Sequence, residues 1–161
     1  MVAVDDTDRR ILVILQENAR TSNAEIARRI GMAPSAVYER IRKLEDRGII
    51  QGYELRLDAK ALGLGLVAYV FVRADENVGS ADTGERLAQI PEVLEVHSIA
   101  GEDCYLVKVR VADTDAMRVL LRSGFGAIPT VSGTRTTIVL GTVKETSRLA
   151  VPAVPVEVRD G

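Results

Sequence analysis

The stretch from Ser22 to Pro34 constrains this chain most, because it ends one helix and begins another within four residues. Gly31 has no Cβ to resist the left-handed conformation that closes a helix, and Pro34 lacks the amide hydrogen that a first helical position leaves unpaired. Ser22 stands three residues before Glu25, ahead of Ile26, Ala27 and Ile30, which reads as a capping box leading into an apolar face. The spacing predicts a short helix over 23–30 and another over 34–47, stopped by Gly48. Upstream, Ile11, Leu12 and Leu15 recur at helical spacing behind Asp5, Asp6 and Asp8, acids that suit a helix N-terminus, so a first helix is expected over 6–18.

Two helices joined by a tight turn are what a reader of duplex DNA needs: one braces on the backbone while the next lies in the major groove. In the third helix, Val37, Ile41 and Leu44 share a narrow stripe at 100° per residue and must face the other helices. Ser35, Glu39, Arg42 and Asp46 then point outward, with Tyr38 and Lys43 on the flanks. Arg42 offers a bidentate fork to guanine, Glu39 can accept from cytosine N4, and Ser35 suits a phosphate or base edge. Tyr38 can stack on sugar or touch a thymine methyl. Lys43, Arg28 and Arg47 complete the candidate DNA-binding set, since Arg20–Arg47 holds seven basic residues against four acidic ones. Arg40 lies about 60° from the core stripe and is assigned instead to an acid of the first helix. The plain alternative for all of these side chains is a solvated helical face.

Beyond Gly48 the pattern changes. Ile49–Leu57 ends in strict alternation, which reads as a strand, and 58–65 suits a hinge. Then come a strand at 66–74, a Gly/Ser/Asp loop, a helix at 81–89, strands at 93–100 and 105–111, a helix at 114–123, a Gly/Pro break and a strand at 134–143. That order is the split βαβ of a ferredoxin-like sandwich. The fold class is therefore α+β: a winged helix-turn-helix over 1–52, a strand and hinge over 53–64, a βαββαβ sandwich over 65–146, and a tail or arm over 147–161. Each half is small for independent stability, so self-association is expected.

The composition, 47% apolar and 27% charged, fits a globular protein able to bury these cores. A net charge of −2 argues against a nonspecific nucleic-acid coat. No run is long and apolar enough for a membrane span, and Asp5, Asp6 and Asp8 stand where an export signal would be basic and then apolar, so a cytoplasmic protein is expected. With one cysteine, Cys104, and one histidine, His97, neither an internal disulfide nor a zinc site is expected. No nucleophile has an adjacent base, and neither a phosphate loop nor a cofactor motif occurs, so the chain does not read as an enzyme. His97 reads as a strand residue and Cys104 as a small apolar one.

The residues Asp8-x-x-Ile-Leu, Leu15-Gln-Glu-Asn-Ala-Arg20, Glu25-Ile-Ala, Tyr38-Glu-Arg-Ile-Arg-Lys-Leu-Glu45 and Gly48-Ile-Ile-x-Gly-Tyr53 closely resemble the Lrp/AsnC (feast/famine) family. The likeness continues through Leu62-Gly63, Val93-x-Glu-Val-His97, Ala100-Gly-Glu-Asp103, Tyr105-Leu and Thr134-Arg-Thr-Thr-Ile-Val-Leu140. It implies a winged helix-turn-helix joined to an ACT-like domain that binds an effector and assembles subunits. It also implies dimers that build further, commonly to octamers, and operators near genes of amino-acid metabolism. The effector, usually an amino acid, sits in such proteins between C-terminal domains of neighbouring subunits, which points to Ser98, Ala100, Gly101, Asp103, Tyr105, Thr134 and Thr136.

The family loop commonly reads Gly-Glu-x-Asp-Tyr, whereas this chain has Gly101-Glu-Asp-Cys-Tyr105. Three readings follow: Asp103 takes the ligand's ammonium, the ligand differs in charge or size, or the site keeps only its assembly role. The expected function is a sequence-specific regulator bound to double-stranded DNA and modulated by an amino acid. The alternatives are a ligand-independent, chromosome-organising protein and an enzyme or an enzyme's regulatory subunit.

Overall fold

The computed structural model describes residues 4–77 and 81–152. The chain divides into two compact units, one made of residues 1–56 together with 145–161, the other of 57–144.

The first unit packs α1 (Asp6–Glu17), α2 (Asn23–Ile30) and α3 (Pro34–Asp46). Asp5 caps α1 by accepting from the Asp8 amide at 2.8 Å, and the Asp8 carboxylate returns the contact to the Asp5 amide at 3.4 Å. Ser22 caps α2 by accepting from the Glu25 amide at 3.2 Å, but the expected return half of the box is not made. Glu25 turns outward instead, taking Arg28 Nε and Nη2 at 2.9 and 2.8 Å and Arg29 Nε at 2.8 Å, because two guanidiniums on its own face outbid one amide. Gly31 closes α2 at φ +75° and Pro34 opens α3. Ile11, Ile14, Ile26, Ala27, Ile30, Val37 and Ile41 form one buried cluster. Ile14 thus takes the inward place that spacing gave to Leu12 and Leu15, which are only partly buried.

The strand expected at 49–57 is not formed. Residues 51–58 run without a ladder, leaving Tyr53, Leu55 and Leu57 exposed. Alternation specifies a strand only when another strand supplies hydrogen bonds, and among the described residues none does so here.

Residues 148–152, part of the segment 147–161 read from sequence as a tail or arm, lie along α1. The Gln16 amide pairs with the Leu149 backbone at both ends, accepting from its N–H at 2.7 Å and donating to its carbonyl at 3.2 Å. Arg148 donates to the Glu17 carbonyl at 3.0 Å, placing a cation at the negative end of a helix with no basic residue in its last turn. Arg9 donates to the Pro152 carbonyl at 2.6 Å. The strap therefore runs antiparallel to α1; the rest of the expected tail, 153–161, falls outside the described residues.

The second unit is a four-stranded antiparallel sheet in the order β2-β3-β1-β4, built from β1 (Leu66–Ala74), β2 (Val93–Ser98), β3 (Tyr105–Val111) and β4 (Val131–Ile138). The helices α4 (Asp82–Ala88) and α5 (Thr114–Val119) complete the expected βαββαβ order, and residues 78–80 of the Gly/Ser/Asp loop lie outside the described residues. Ala68, Val70 and Val72 alternate inward from β1 and pack with Tyr105, Val107, Val109, Leu87, Met117, Leu120 and Phe125. The opposite sheet face presents Val67, Tyr69, Phe71 and Leu106, all only partly buried.

Three boundaries differ from expectation. The last strand spans 131–138, not 134–143, because its partner β1 runs out: Ile138 pairs with Ala68, one further bond joins Val139 N to Val67 O, and Leu140 is fully exposed. The strand β2 stops at Ser98 rather than at residue 100. Past α5 the chain coils on as a π turn over Leu120–Gly124 and a 3-10 turn over Phe125–Ala127, so Gly124 does not break the helix. Its missing side chain makes room, since a Cβ there would stand 3.0 Å from Leu120 Cδ1 and 3.4 Å from Ile90 Cδ1.

Candidate DNA interface and effector site

Burial of Val37, Ile41 and Leu44 turns the opposite face of α3 to solvent. Ser35, Tyr38, Glu39, Arg42 and Lys43 are all exposed on it, as are Arg47 beyond its end and Arg28 on α2. Arg42 stands 3.9 Å from Asp46, a loose contact that leaves its guanidinium available. Arg28 is held differently: its two bonds to Glu25 point the fork at α2 itself, and these arginines, Arg28 first, draw the Glu25 carboxyl down to about 2.

Arg40 belongs to the framework, as its angle on the helix suggested. It donates to Asp5 Oδ2 at 2.7 Å and Asp8 Oδ1 at 2.8 Å, tying α3 to the start of α1. The Asp8 side chain is only 9% exposed, so Arg40→Ala strands a shielded carboxylate and is expected to cost about 1–3 kcal/mol in a denaturant melt. The Asp8 amide, and then Arg40, hold the Asp5 carboxyl below its ordinary range. A depressed carboxyl stabilises the fold above its unfolded pKa and loses that contribution as pH falls through the folded value. The wild-type advantage over Arg40→Ala should therefore shrink in melts below about pH 4. A stability difference that stays constant to pH 2 refutes the assignment.

Sequence reasoning missed one tether here. The Tyr53 hydroxyl donates to Glu45 Oε1 at 2.9 Å, fixing the segment after α3 to its last turn; burial, and then Glu45, push this phenol up to about 12.

The candidate effector residues do not converge within one chain. Ser98 pairs with Tyr105, Tyr105 with Val72, and Val72 with Thr134, so one row crosses the whole sheet from Ser98 to Thr134. Three strand spacings put those ends roughly 14 Å apart, too far to share one small ligand. Ala100 and Gly101 lie in the exposed β2–β3 loop, Gly101 at φ +140°, where a side chain is strained. Thr136 instead lines a shallow cleft of about 490 Å³ with Met117, Arg118, Leu121, Arg122 and Ile138.

Two members of the set have other partners. The Tyr105 ring is buried over Gly84, where a Cβ would come within 2.8 Å of it, and its hydroxyl donates to Glu76 Oε1 at 2.5 Å. Burial, followed by Glu76, raises the phenol to about 12. Asp103 accepts from Arg135 Nη2 at 2.9 Å. Cys104, where the family commonly has aspartate, points into the end of β1, its sulfur 3.4 Å from the Ala74 amide and 3.5 Å from the Ala74 carbonyl oxygen. Arg135 and Glu76 escaped the sequence reading because their partners come from other strands and loops. The only hint was that Arg135 interrupts a run of threonines.

A helix-turn-helix with an exposed third helix, joined to a ligand-domain sandwich, defines a DNA-binding transcriptional regulator. Comparison with known proteins gives the same result. Residues 4–51 match a winged helix-turn-helix DNA-binding family, and residues 67–149 match the Lrp/AsnC ligand binding domain. The chain belongs to the Lrp/AsnC family of transcriptional regulators. It is 38% identical over 152 residues to the leucine-responsive regulatory proteins of Escherichia coli K12 and Salmonella typhimurium, covering 92% of each chain in both comparisons. Among solved structures, a feast or famine regulatory protein from M. tuberculosis complexed with L-methionine is 37% identical, with a TM-score of 0.85 over 93% of this chain and 100% of that one. AsnC of E. coli is 28% identical, with a TM-score of 0.85 over 94% of this chain and 100% of its own. Among the described residues no helix is long and apolar enough to cross a membrane.

Proposed function

We propose that this chain is a sequence-specific regulator that binds double-stranded DNA through α3 and answers to an amino acid bound between effector units of neighbouring subunits. The exposed face of α3 carries the first half of the reading: Ser35, Tyr38, Glu39, Arg42 and Lys43 are held outward by the burial of Val37, Ile41 and Leu44. Arg28 and Arg47 flank it as phosphate contacts. For the second half, a site shared by two chains accounts for the sheet-wide separation of Ser98 and Thr134. Ser98, Ala100, Gly101, Asp103 and Tyr105 from one subunit meet Thr134 and Thr136 from another. The relative from M. tuberculosis holds L-methionine, which supports an amino acid as the class of ligand.

A homodimer is the smallest assembly that supplies both chains, and octamers are the larger assembly expected of it. The alternating segment Tyr53, Leu55, Leu57 and the helix-free sheet face of Val67, Tyr69, Phe71 and Leu106 are the surfaces a second copy would cover. In this reading residues 1–52 read DNA and 65–146 bind effector and assemble. The protein works in the cytoplasm without covalent chemistry, and ligand shifts the population of assemblies and so the spacing of recognition helices.

Fluorescence anisotropy against the DNA upstream of its own gene and a scrambled control, with and without the twenty amino acids, tests it. Preference for the upstream DNA that moves with the amino-acid pool is the expected result. Equal binding to both DNAs, steeply salt-dependent and indifferent to the pool, would favour the chromosome-organising alternative.

A further inference from the structure

The chain leaves the DNA reader through a segment that is pinned twice before it is free. Ile49 and Ile50 both donate to the Leu44 carbonyl, at 2.9 and 3.1 Å, and Ile50 packs on the reader's core. Three residues further on, the Tyr53 hydroxyl donates to Glu45 at 2.9 Å. Its phenol, pushed up to about 12, stays protonated and so stays a donor at neutral pH. On the far side, Asp58 opens a turn by accepting from the Lys60 and Ala61 amides at 3.0 and 3.2 Å, and Arg110 of β3 fastens the end of that turn through the Leu64 carbonyl at 3.2 Å. That leaves residues 54–57 between the two anchorages. Within them, Arg56 reaches the Glu145 carbonyl, which laces one connection to the other rather than to a helix. The four residues 54–57, fully extended, span about 14 Å. Without the Tyr53 bond the free stretch begins after Ile50, and the seven residues 51–57 span about 25 Å. The difference, about 10 Å, is roughly three base pairs of duplex. The return connection, 140–147, runs from the Val139 bond on β1 to the Arg148 bond on α1 and is twice as long, so it does not set the limit.

We infer that the hydrogen bond from Tyr53 to Glu45 sets the half-site spacing this regulator accepts, by holding the linker to the recognition helix and so keeping its reach short. This rests on the reading above, in which copies of the chain assemble and each lays an α3 in the major groove. Two readers on short tethers engage two half-sites over a narrow range of separations, and a tether that cannot span them loses the second engagement altogether. A shift of three base pairs also turns the second half-site by roughly a quarter turn around the duplex, which the linker must follow. Tyr53 and Glu45 therefore act on specificity as positioning residues: the base contacts stay with the outward face of α3, and the bond decides how far apart two such faces can stand.

The test uses the full-length protein and the DNA upstream of its own gene, with the half-sites located by footprinting. Anisotropy is measured on duplexes with one to four base pairs inserted or deleted between the half-sites, and on a duplex carrying one half-site. Wild-type affinity should fall on the order of a hundredfold once the spacing is off by three base pairs, as the second reader disengages. In Tyr53→Phe that fall should shrink to roughly tenfold or less, with a loss of about twofold at the native spacing from the longer tether. Its affinity for the single half-site should be unchanged. Phenylalanine keeps the ring, so what Tyr53 offers a second copy is retained. Glu45→Ala breaks the bond from its other end and should flatten the profile alike, whereas Glu45→Gln, which keeps an acceptor for the hydroxyl, should leave it sharp. A profile as sharp in both breaking variants as in wild type overturns the inference and leaves the DNA reading standing, as does a flat wild-type profile. A weakened single half-site in Tyr53→Phe also overturns it, making the bond a brace of α3. No preference of the wild type for the upstream DNA over a scrambled duplex overturns both readings.

Discussion

Arg42→Ala is expected to weaken binding to the operator by about 1–3 kcal/mol and to relax preference at a single base pair, leaving the fold intact. Position 42 lies opposite the stripe of Val37, Ile41 and Leu44, its side chain is 62% exposed, and its ionic neighbour Asp46 is 3.9 Å away. The side chain lies outside the buried cluster of this unit, so the loss on truncation falls on DNA contacts. A base contact and a phosphate contact separate cleanly in a panel of operator variants. If Arg42 reads a guanine, discrimination vanishes at one position and persists elsewhere; if it holds a phosphate, affinity falls uniformly and the salt slope drops by about one. Unchanged affinity and specificity would remove Arg42 from the interface.

The largest effect on stability is expected at Phe125. Its side chain is fully buried in the cluster with Val70, Val107, Leu87 and Leu120, and it stands where the helical path after α5 tightens from a π turn to a 3-10 turn. Phe125→Ala removes a ring from a close-packed core and is expected to cost about 3–5 kcal/mol, a transfer loss plus a cavity that so constrained a backbone cannot close. Denaturant unfolding measures it. The effector unit should unfold at lower denaturant, and ligand response should fail before DNA binding does. A cost below about 1 kcal/mol would mean that the neighbours collapse into the space.

What the sequence revealed and what it hid divide along the range of the interactions. The three helices of the first unit were legible because Ser22, Gly31 and Pro34 act through the backbone within a turn of themselves, and the outward face of α3 followed from the inward one. The order of strands and helices in the second unit was legible for the same reason. The ends of β4 were not, since they are set by where β1 stops, and the strand expected at 49–57 needs a partner that none of the described residues supplies. Glu25 looked like half of a capping box, yet its choice between one amide and two guanidiniums is a competition that spacing does not decide. The effector residues could be gathered by resemblance, but only strand register placed Ser98 and Thr134 at opposite edges. Arg135 meets Asp103 across β1, thirty-two positions away, where no local pattern reaches.

The strap along α1 changes what kind of object the DNA reader is. Because 1–56 and 145–161 belong to one unit, the effector unit is a parenthesis inserted in the reader rather than a pendant at its end. The parenthesis opens and closes at one spot, for Arg56 Nη2 donates to the Glu145 carbonyl at 3.4 Å. The two connections to the inserted unit therefore leave the reader side by side, one coming from the end of α3 and the other leading to the side of α1.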